Sequence, residues 1–146
     1  MPRMDELTVG DVCTESPVIL SEELTVGEAY ESLVGEGISG VPVTNADGDL
    51  IGVVSNSDLL VSLAPFLDSQ EDAPDLRALE ELKRTPLSAF VQGPPITCQL
   101  NTTLREACQL MTRERIHRLI VVAADEVVGL ISSLDVVRAV ALADSE

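Results

Sequence analysis

Along the chain, short apolar runs typical of strands alternate with apolar residues at helical spacing. The resulting order of predicted strands and helices occurs twice. In the first copy, extended residues at 18–20 precede an apolar stripe of helical spacing that begins at Val26. Strands follow at 41–44 and 50–54, and a helix at 57–64 closes the copy. The second copy has extended residues at 96–98, a helical stripe from Leu104, strands at 119–122 and 127–131 and a closing helix at 134–142. The pattern predicts a β-α-β-β-α unit, present twice.

The two copies align over most of their length. Pro17 corresponds to Pro95, and the same spacing holds as far as the turn between the strands, where the second copy is shorter by a single position. Each copy opens its first helix with a Thr-x-x-Glu capping box, in which the threonine and the glutamate satisfy backbone N–H groups at the helix start. These boxes are Thr25 with Glu28 and Thr103 with Glu106. Self-similarity at this scale indicates a duplicated structural unit.

The alignment divides the chain into three parts. The first repeat covers residues 1–64, an acidic linker covers 65–85, and the second repeat covers 86–146. Within the linker, residues 74–84 have a proline near their start and basic residues at their end, which predicts one short helix. We interpret that helix as a connection, with a functional lid as the alternative.

The charge of the chain restricts the classes of partner that it can bind. There are 25 acidic and 9 basic residues, a formal net charge of −16. Such a surface repels nucleic-acid phosphates and anionic membranes, so we expect neither partner. A strongly acidic surface poor in lysine also suggests adaptation to high internal salt, where screening suppresses self-repulsion. Unfolding of the protein at low ionic strength would support that hypothesis, and full stability in salt-free buffer would count against it.

The remaining composition argues against export, membrane insertion and catalysis. No apolar stretch approaches the roughly 18 residues of a membrane span, and the first residues have no apolar signal region, so a cytoplasmic location is expected. The cysteines Cys13, Cys98 and Cys108 lack metal-binding spacing and are interpreted as reduced thiols. With one histidine and no Gly-rich phosphate loop, the chain offers no catalytic set, metal site or catalytic cofactor site.

Two pairs of segments resemble the cystathionine-β-synthase (CBS) domain. The first pair is Gly37-Ile-Ser-Gly-Val-Pro-Val43 with Gly52-Val-Val-Ser-Asn-Ser-Asp58. The second pair is Arg115-Ile-His-Arg-Leu-Ile-Val-Val122 with Gly129-Leu-Ile-Ser-Ser-Leu-Asp135. The resemblance implies an α/β fold of the α+β kind, in which two CBS repeats pack as a pseudo-twofold pair, the Bateman module. It also implies an adenosine ligand, AMP, ADP, ATP or S-adenosylmethionine, in the cleft between the repeats, and a homodimer.

Each copy places a serine and an aspartate where a strand passes into a helix, Ser55 with Asp58 and Ser132 with Asp135. A helix start offers backbone N–H groups to a phosphate, and an aspartate there can accept hydrogen bonds from ribose hydroxyls. The family resemblance favours these ligand contacts. The structural alternative is an ordinary N-terminal cap, which uses the same residue types at the same spacing.

The second copy carries a sharper signal in His117 and Arg118. Arginine can donate two hydrogen bonds to phosphate oxygens, and the family resemblance gives this pair a phosphate-facing role. The first copy has Ser39 and Gly40 instead, so one competent nucleotide site, or two unequal ones, is expected. The segments that the resemblance places against an adenine contribute Pro17, Ile19, Pro95 and Thr97.

The sequence therefore predicts a regulatory module that senses an adenosine nucleotide and signals to a protein partner. Ligand binding would shift the packing of the repeats, and a partner that prefers one state would sense the shift. The alternative is a structural dimerisation module that binds no nucleotide and uses its Ser-x-x-Asp sequences only as helix caps.

Overall fold

The structure, a computed structural model, describes residues 3–15, 17–62 and 76–143. The chain forms two compact units, each containing most of one sequence repeat. The first-repeat unit consists of residues 18–95, and the second-repeat unit combines residues 1–17 with 96–146. Mixed helices and sheets in both units confirm the predicted α+β fold class.

The first-repeat unit is built on a three-stranded sheet in the order β2-β3-β4. Strand β2 runs parallel to β3, and β3 pairs with β4 in antiparallel fashion. The strands and helices of this unit are β2 (Leu20–Ser21), α2 (Val26–Glu36), β3 (Gly40–Thr44), β4 (Leu50–Ser55), α3 (Asn56–Ser62) and α4 (Leu76–Lys83). A 3-10 helix at Leu87–Phe90 follows α4.

The second-repeat unit has a four-stranded sheet in the order β1-β7-β6-β5. Strand β5 is parallel to β6, the β6–β7 pair is antiparallel, and β1 adds an antiparallel edge strand. Its elements are a 3-10 helix (Met4–Glu6), α1 (Val9–Val12), β1 (Thr14–Glu15), β5 (Thr97–Cys98), α5 (Leu104–Glu114), β6 (Arg118–Ala123), β7 (Glu126–Ser132) and α6 (Ser133–Leu142).

The two predicted capping boxes are present and start the helices α2 and α5. The Thr25 hydroxyl accepts a hydrogen bond from the Glu28 N–H at 3.2 Å, and the Thr103 hydroxyl accepts one from the Glu106 N–H at 3.1 Å. Gly37 caps the end of α2, and its positive φ of 65° is the left-handed conformation that glycine adopts without strain. The predicted linker helix is α4, with residues 74–75 of that prediction outside the described part of the chain.

The segments that lead into the repeats are exchanged between the units. Val9, which precedes the first repeat's sheet, is fully buried in the second-repeat unit and donates its N–H to the Thr102 carbonyl at 2.7 Å. Leu87, its counterpart in the second repeat, is fully buried in the first-repeat unit and donates to the Leu24 carbonyl at 2.7 Å. The compact units therefore differ from the sequence repeats by this exchange of segments. The repeat boundaries at residues 64 and 86 stay a prediction.

Each unit has its own apolar core between its sheet and its helices. In the first-repeat unit Leu33, Val41, Val43 and Val54 are almost fully buried. The second-repeat core has Met111, Leu119, Val121 and Ile131 in the matching places. Among the described residues, no helix is long and apolar enough to cross a membrane.

Candidate functional site

The corner between β7 and α6 in the second-repeat unit holds two of the predicted ligand residues. Ser132 is the last residue of β7 and the N-cap of α6. Its hydroxyl accepts a hydrogen bond from the Asp135 N–H at 3.1 Å, and Asp135 Oδ2 accepts one from the Ser132 N–H at 2.8 Å. The two side chains therefore form a capping box that fixes the start of the helix.

Arg118, the first residue of β6, and His117 just before it lie at the same corner. Arg118 pairs with Ser132 across the β6–β7 ladder, and the His117 carbonyl accepts a hydrogen bond from the Ser133 N–H at 2.8 Å. The His117 side chain is exposed and that of Arg118 is half-buried. The next strand, β5, places Thr97 opposite Ile120. The structure thus brings His117, Arg118, Ser132 and Asp135 together, with Thr97 one strand away.

The first-repeat unit has an equivalent corner with different chemistry. Asp58 Oδ2 accepts hydrogen bonds from the Ser55 N–H at 2.7 Å and from the Ser55 hydroxyl at 2.9 Å. The Ser39 carbonyl accepts a hydrogen bond from the Asn56 N–H at 2.9 Å, and Gly40 pairs with Ser55. The residues in the places of His117 and Arg118 are therefore a serine and a glycine, and neither carries a cationic side chain.

The remaining residues that the sequence predicts to contact the ligand are divided between the two compact units. Pro17 is the last residue of the segment that joins the second-repeat unit, while Pro95 ends the first-repeat unit. Both prolines are half-buried. Ile19 is exposed in the residues that lead into β2. The structure assigns Pro95 and Thr97 to different units, although they are neighbours in sequence.

A cavity of about 580 Å³ adjoins the second-repeat corner between α1 and α6. Asp135 is the only predicted ligand residue that lines it among the described residues, where it stands with Asp11, Thr14 and Arg138. Arg138 Nη1 lies 4.0 Å from Asp135 Oδ1. Sequence reasoning missed this arginine. Its i,i+3 spacing from Asp135 was the signal that could have found it.

Two further arginines precede His117 in the chain, and both have structural roles. Arg115 ends α5 in the left-handed conformation, with φ of 56°. The Arg113 side chain is exposed and forms an ion pair with Glu114 at 3.4 Å. Among the described residues, no group of His, Cys, Asp or Glu side chains could hold a metal ion.

Two of the cysteines lie in the second-repeat core and are shielded from ionisation. Burial raises the pKa of the Cys98 thiol to about 11, with a smaller contribution from Cys13 nearby. Burial also raises the pKa of Cys13, followed by the negative charges of Glu15 and Asp135. All three cysteines, including Cys108, are free thiols.

Cys98 is expected to resist alkylation in the folded protein. A rise in its pKa from the ordinary value of 9.0 to about 11 lowers the thiolate fraction at pH 8 by about 100-fold. Because the unfolded state ionises first, the free energy of unfolding should fall as the pH rises from about 9 to 11. Iodoacetamide labelling at pH 8, followed by peptide mass spectrometry, measures the alkylation rate of Cys98 in the folded protein and in urea-unfolded protein. Equal labelling rates of Cys98 in the two states would contradict it.

Comparisons with known proteins agree with this architecture. A profile of the CBS domain family matches residues 9–65 and 87–142. The chloroplastic CBS domain-containing protein CBSX1 of Arabidopsis thaliana is 30% identical in an alignment 155 positions long, which covers 94% of this chain and 66% of that protein. The A-adding tRNA nucleotidyltransferase of Aquifex aeolicus is 27% identical, but the match covers only 14% of its length. The chain therefore spans only part of the length of these relatives.

Solved structures show the same fold. The crystal structure of CBSX2 in complex with AMP has a TM-score of 0.73 and 28% identity, covering 92% of this chain and 96% of that one. The CBS-domain containing protein ATU1752 from Agrobacterium tumefaciens has a TM-score of 0.74 and 26% identity, covering 90% of this chain and 98% of that one. With two family matches over most of its length, the chain belongs to the CBS domain family and carries a CBS domain pair.

Proposed function

We propose that the chain is a regulatory module that binds an adenosine nucleotide at the second-repeat corner. The observation that carries the proposal is the grouping of four residues at one corner. Arg118 and Ser132 pair on adjacent strands, His117 lies just before β6, and Asp135 lies in the helix that follows β7. Arginine and histidine suit a phosphate, and a carboxylate suits ribose hydroxyls. The crystal structure of CBSX2 with AMP supports this choice of ligand class, and S-adenosylmethionine is the second candidate.

The two units are proposed to be unequal. The first-repeat corner keeps Ser55 and Asp58, but Ser39 and Gly40 provide no cation for a phosphate. We therefore expect one competent site per chain, in the second-repeat unit. Binding would bias the packing of the CBS pair, and the output would pass to a protein partner or to self-association as a homodimer.

The proposed role is regulatory rather than catalytic. The match to the A-adding tRNA nucleotidyltransferase covers 14% of that enzyme, and the match to a homoserine O-acetyltransferase covers 23%. The activities in those names belong to much longer proteins. We also propose that the protein works in a reducing cytoplasm, where its three cysteines would stay as free thiols. A high salt concentration there would screen the repulsion that a net charge of −16 causes.

A thermal-unfolding scan in high-salt buffer tests the proposal with AMP, ADP, ATP, S-adenosylmethionine and NADH. A ligand at 100 times its dissociation constant stabilises the folded protein by about 2.7 kcal/mol, which raises the melting temperature by several degrees. A rise with one adenosine ligand supports sensing. A melting temperature that none of the five ligands changes would favour the structural alternative.

That alternative has an observation in its favour, because Ser132 and Asp135 already cap α6. Asp135→Ala and Glu106→Ala are a matched pair that separates the two roles, since each removes the acidic half of a capping box in the same unit. Each should lower the free energy of unfolding by about 1 kcal/mol. Only Asp135→Ala should also remove the nucleotide-induced rise in melting temperature. Equal stability losses with the nucleotide response intact in both would support capping alone.

A further inference from the structure

The first-repeat unit contains an apolar groove between three helices. The groove has a volume of about 550 Å³ and is lined by residues of α2, α3 and α4. Six of its eleven lining residues are apolar. They include Val26 and Leu59, which are buried, and Tyr30 and Leu76, which are 60% and 69% exposed. Because protein interiors are packed without large voids, a space of this size can take up apolar groups of a binding partner.

Helix α4 is fixed against the start of α2, so the groove is a built feature of the fold. The Val26 N–H donates to the Thr85 carbonyl, just after α4, at 2.9 Å. Gly27 permits the close approach, since a Cβ there would come within 3.2 Å of the Lys83 carbonyl oxygen. Leu79 of α4 lines the groove and is only half-buried. The packing of α4 on α2 therefore leaves apolar surface for a further contact.

The groove is not a general property of the repeat. The corresponding surface of the second-repeat unit, at the start of α5, has a smaller cavity of about 370 Å³. Arg105 and Cys108 there take the places of Gly27 and Tyr30, and the 3-10 helix Met4–Glu6 takes the place of α4. The longer helix and the exposed tyrosine distinguish the first-repeat unit, as expected of a surface for a specific partner.

The charge around the groove selects the kind of partner. Helices α2, α3 and α4 contain six acidic and two basic residues. Within the groove, Glu80 pairs with Lys83 at 3.5 Å, while Glu31 has no ion-pair partner among the described residues. An apolar groove bordered by carboxylates is complementary to an amphipathic helix with apolar residues on one face and lysine or arginine on the other.

We propose that this groove of the first-repeat unit binds a basic amphipathic helix of a protein partner. The docking rests on the output to a protein partner proposed above, and it adds the surface and the chemistry of that partner. Apolar side chains of the partner helix would enter between Tyr30, Leu76 and Leu79, and its cations would lie near Glu31. The nucleotide corner belongs to the other unit, so partner binding and nucleotide binding can be measured separately.

Tyr30 gives a direct measurement of docking, because it is the only tyrosine of the chain and there is no tryptophan. The probe is a model peptide of about 18 residues, five helical turns, with leucine on one face and lysine on the other. It is added at the lowest salt concentration at which the protein unfolds cooperatively. Because the peptide has no aromatic residue, a saturable change in tyrosine fluorescence measures binding at the groove. A peptide with glutamate in place of lysine should bind at least about tenfold more weakly.

Two matched pairs of variants locate the contact. Leu76→Asp and Leu134→Asp each place a carboxylate in the first turn of a helix, at residues that are 69% and 55% exposed. Leu76→Asp should weaken peptide binding at least about tenfold, while Leu134→Asp should leave it unchanged. Glu31→Gln should weaken binding about two- to fivefold. Glu36→Gln changes the same charge on the same helix outside the groove, and it should not weaken binding.

The outcomes separate this docking from nucleotide sensing. The docking would be overturned by an unchanged tyrosine fluorescence at saturating peptide, or by equal binding to the Leu76→Asp protein. A fluorescence change on raising the protein concentration alone would also overturn it, because the groove would then hold a second copy of the chain. Melting temperatures with and without AMP verify that the variants fold. A missing AMP response in protein that binds the peptide would contradict nucleotide sensing and leave the docking intact.

Discussion

Replacing Arg118 with alanine is expected to abolish the rise in melting temperature that an adenosine nucleotide gives the unmodified protein. Arg118 lies on β6 opposite Ser132, beside the start of α6. It supplies the guanidinium that would pair with phosphate oxygens in a strongly acidic protein. Removing one partner of a charge-assisted contact costs several kcal/mol, which is enough to remove about 2.7 kcal/mol of stabilisation. Thermal unfolding with and without ligand measures the change within each variant.

Arg113→Ala is the matched control for that experiment. It removes the same charge from the same unit, but at an exposed residue that pairs with Glu114 on α5. The nucleotide response should persist in this control. Comparing the ligand-induced change, rather than the melting temperature itself, separates lost binding from any lost stability. An unchanged response in Arg118→Ala would move the site away from the second-repeat corner.

Gly52→Ala is expected to be the most destabilising of the glycine substitutions in the first-repeat unit. A Cβ at this position would collide with the Gln92 carbonyl and come within 2.7 Å of Val91 Cγ1. The exchanged segment crosses β4 here, where Val53 and Gln92 donate to each other's carbonyls at 3.0 and 2.9 Å. Overpacking at such a site costs about 3 kcal/mol. Urea unfolding measures the free energy directly.

The control for this substitution is Gly35→Ala. Gly35 lies inside α2, and a Cβ there would have no neighbour within 4 Å. Alanine should therefore raise the free energy of unfolding by about 0.5–1 kcal/mol, because it restricts the unfolded chain and favours the helix. A stability loss at Gly52 no larger than that of a surface substitution would mean that the exchanged segment does not hold its place on β4.

Gly129 shows that this packing belongs to the repeat rather than to one unit. A Cβ on Gly129 would come within 2.9 Å of the Thr14 carbonyl and 3.1 Å of Cys13 Sγ. Thr14 and Cys13 are the counterparts of Gln92 and Val91 in the repeat alignment, so each glycine makes room for the exchanged segment of its own unit. In both units, therefore, a glycine in the second strand of the repeat allows the exchanged segment to pack closely against that strand.

Local sequence signals predicted most of the secondary structure. The capping boxes at Thr25 and Thr103 form between residues close in sequence, so no distant contact was needed to predict them. The strands around Val43 and Val121 followed from runs of buried, β-branched residues. The internal repeat then supplied the order of elements for both units.

The exchange of the leading segments could not be predicted from these signals. Val9 and Leu87 find their partners far along the chain, and nothing in their local pattern indicates which repeat they join. The repeat alignment would place each segment with its own copy. The hydrogen bonds from Val9 to Thr102 and from Leu87 to Leu24 place them in the opposite units.

For the candidate site, sequence predicted the residues of the second-repeat corner but not the surroundings of Asp135. Its neighbours Asp11 and Thr14 come from the exchanged segment, far earlier in the chain. Arg138 was missed because its place in the first repeat is the apolar Val61.

Titration calorimetry of the unmodified protein with AMP in high-salt buffer measures directly whether the chain binds a nucleotide. We expect saturable binding with one nucleotide per chain, because only the second-repeat corner combines His117 and Arg118 with a Ser-x-x-Asp helix start. The same titration with ATP and S-adenosylmethionine identifies the preferred ligand. Absence of binding by all three, in protein that unfolds cooperatively, would contradict the sensing role and leave the CBS pair as an interaction module.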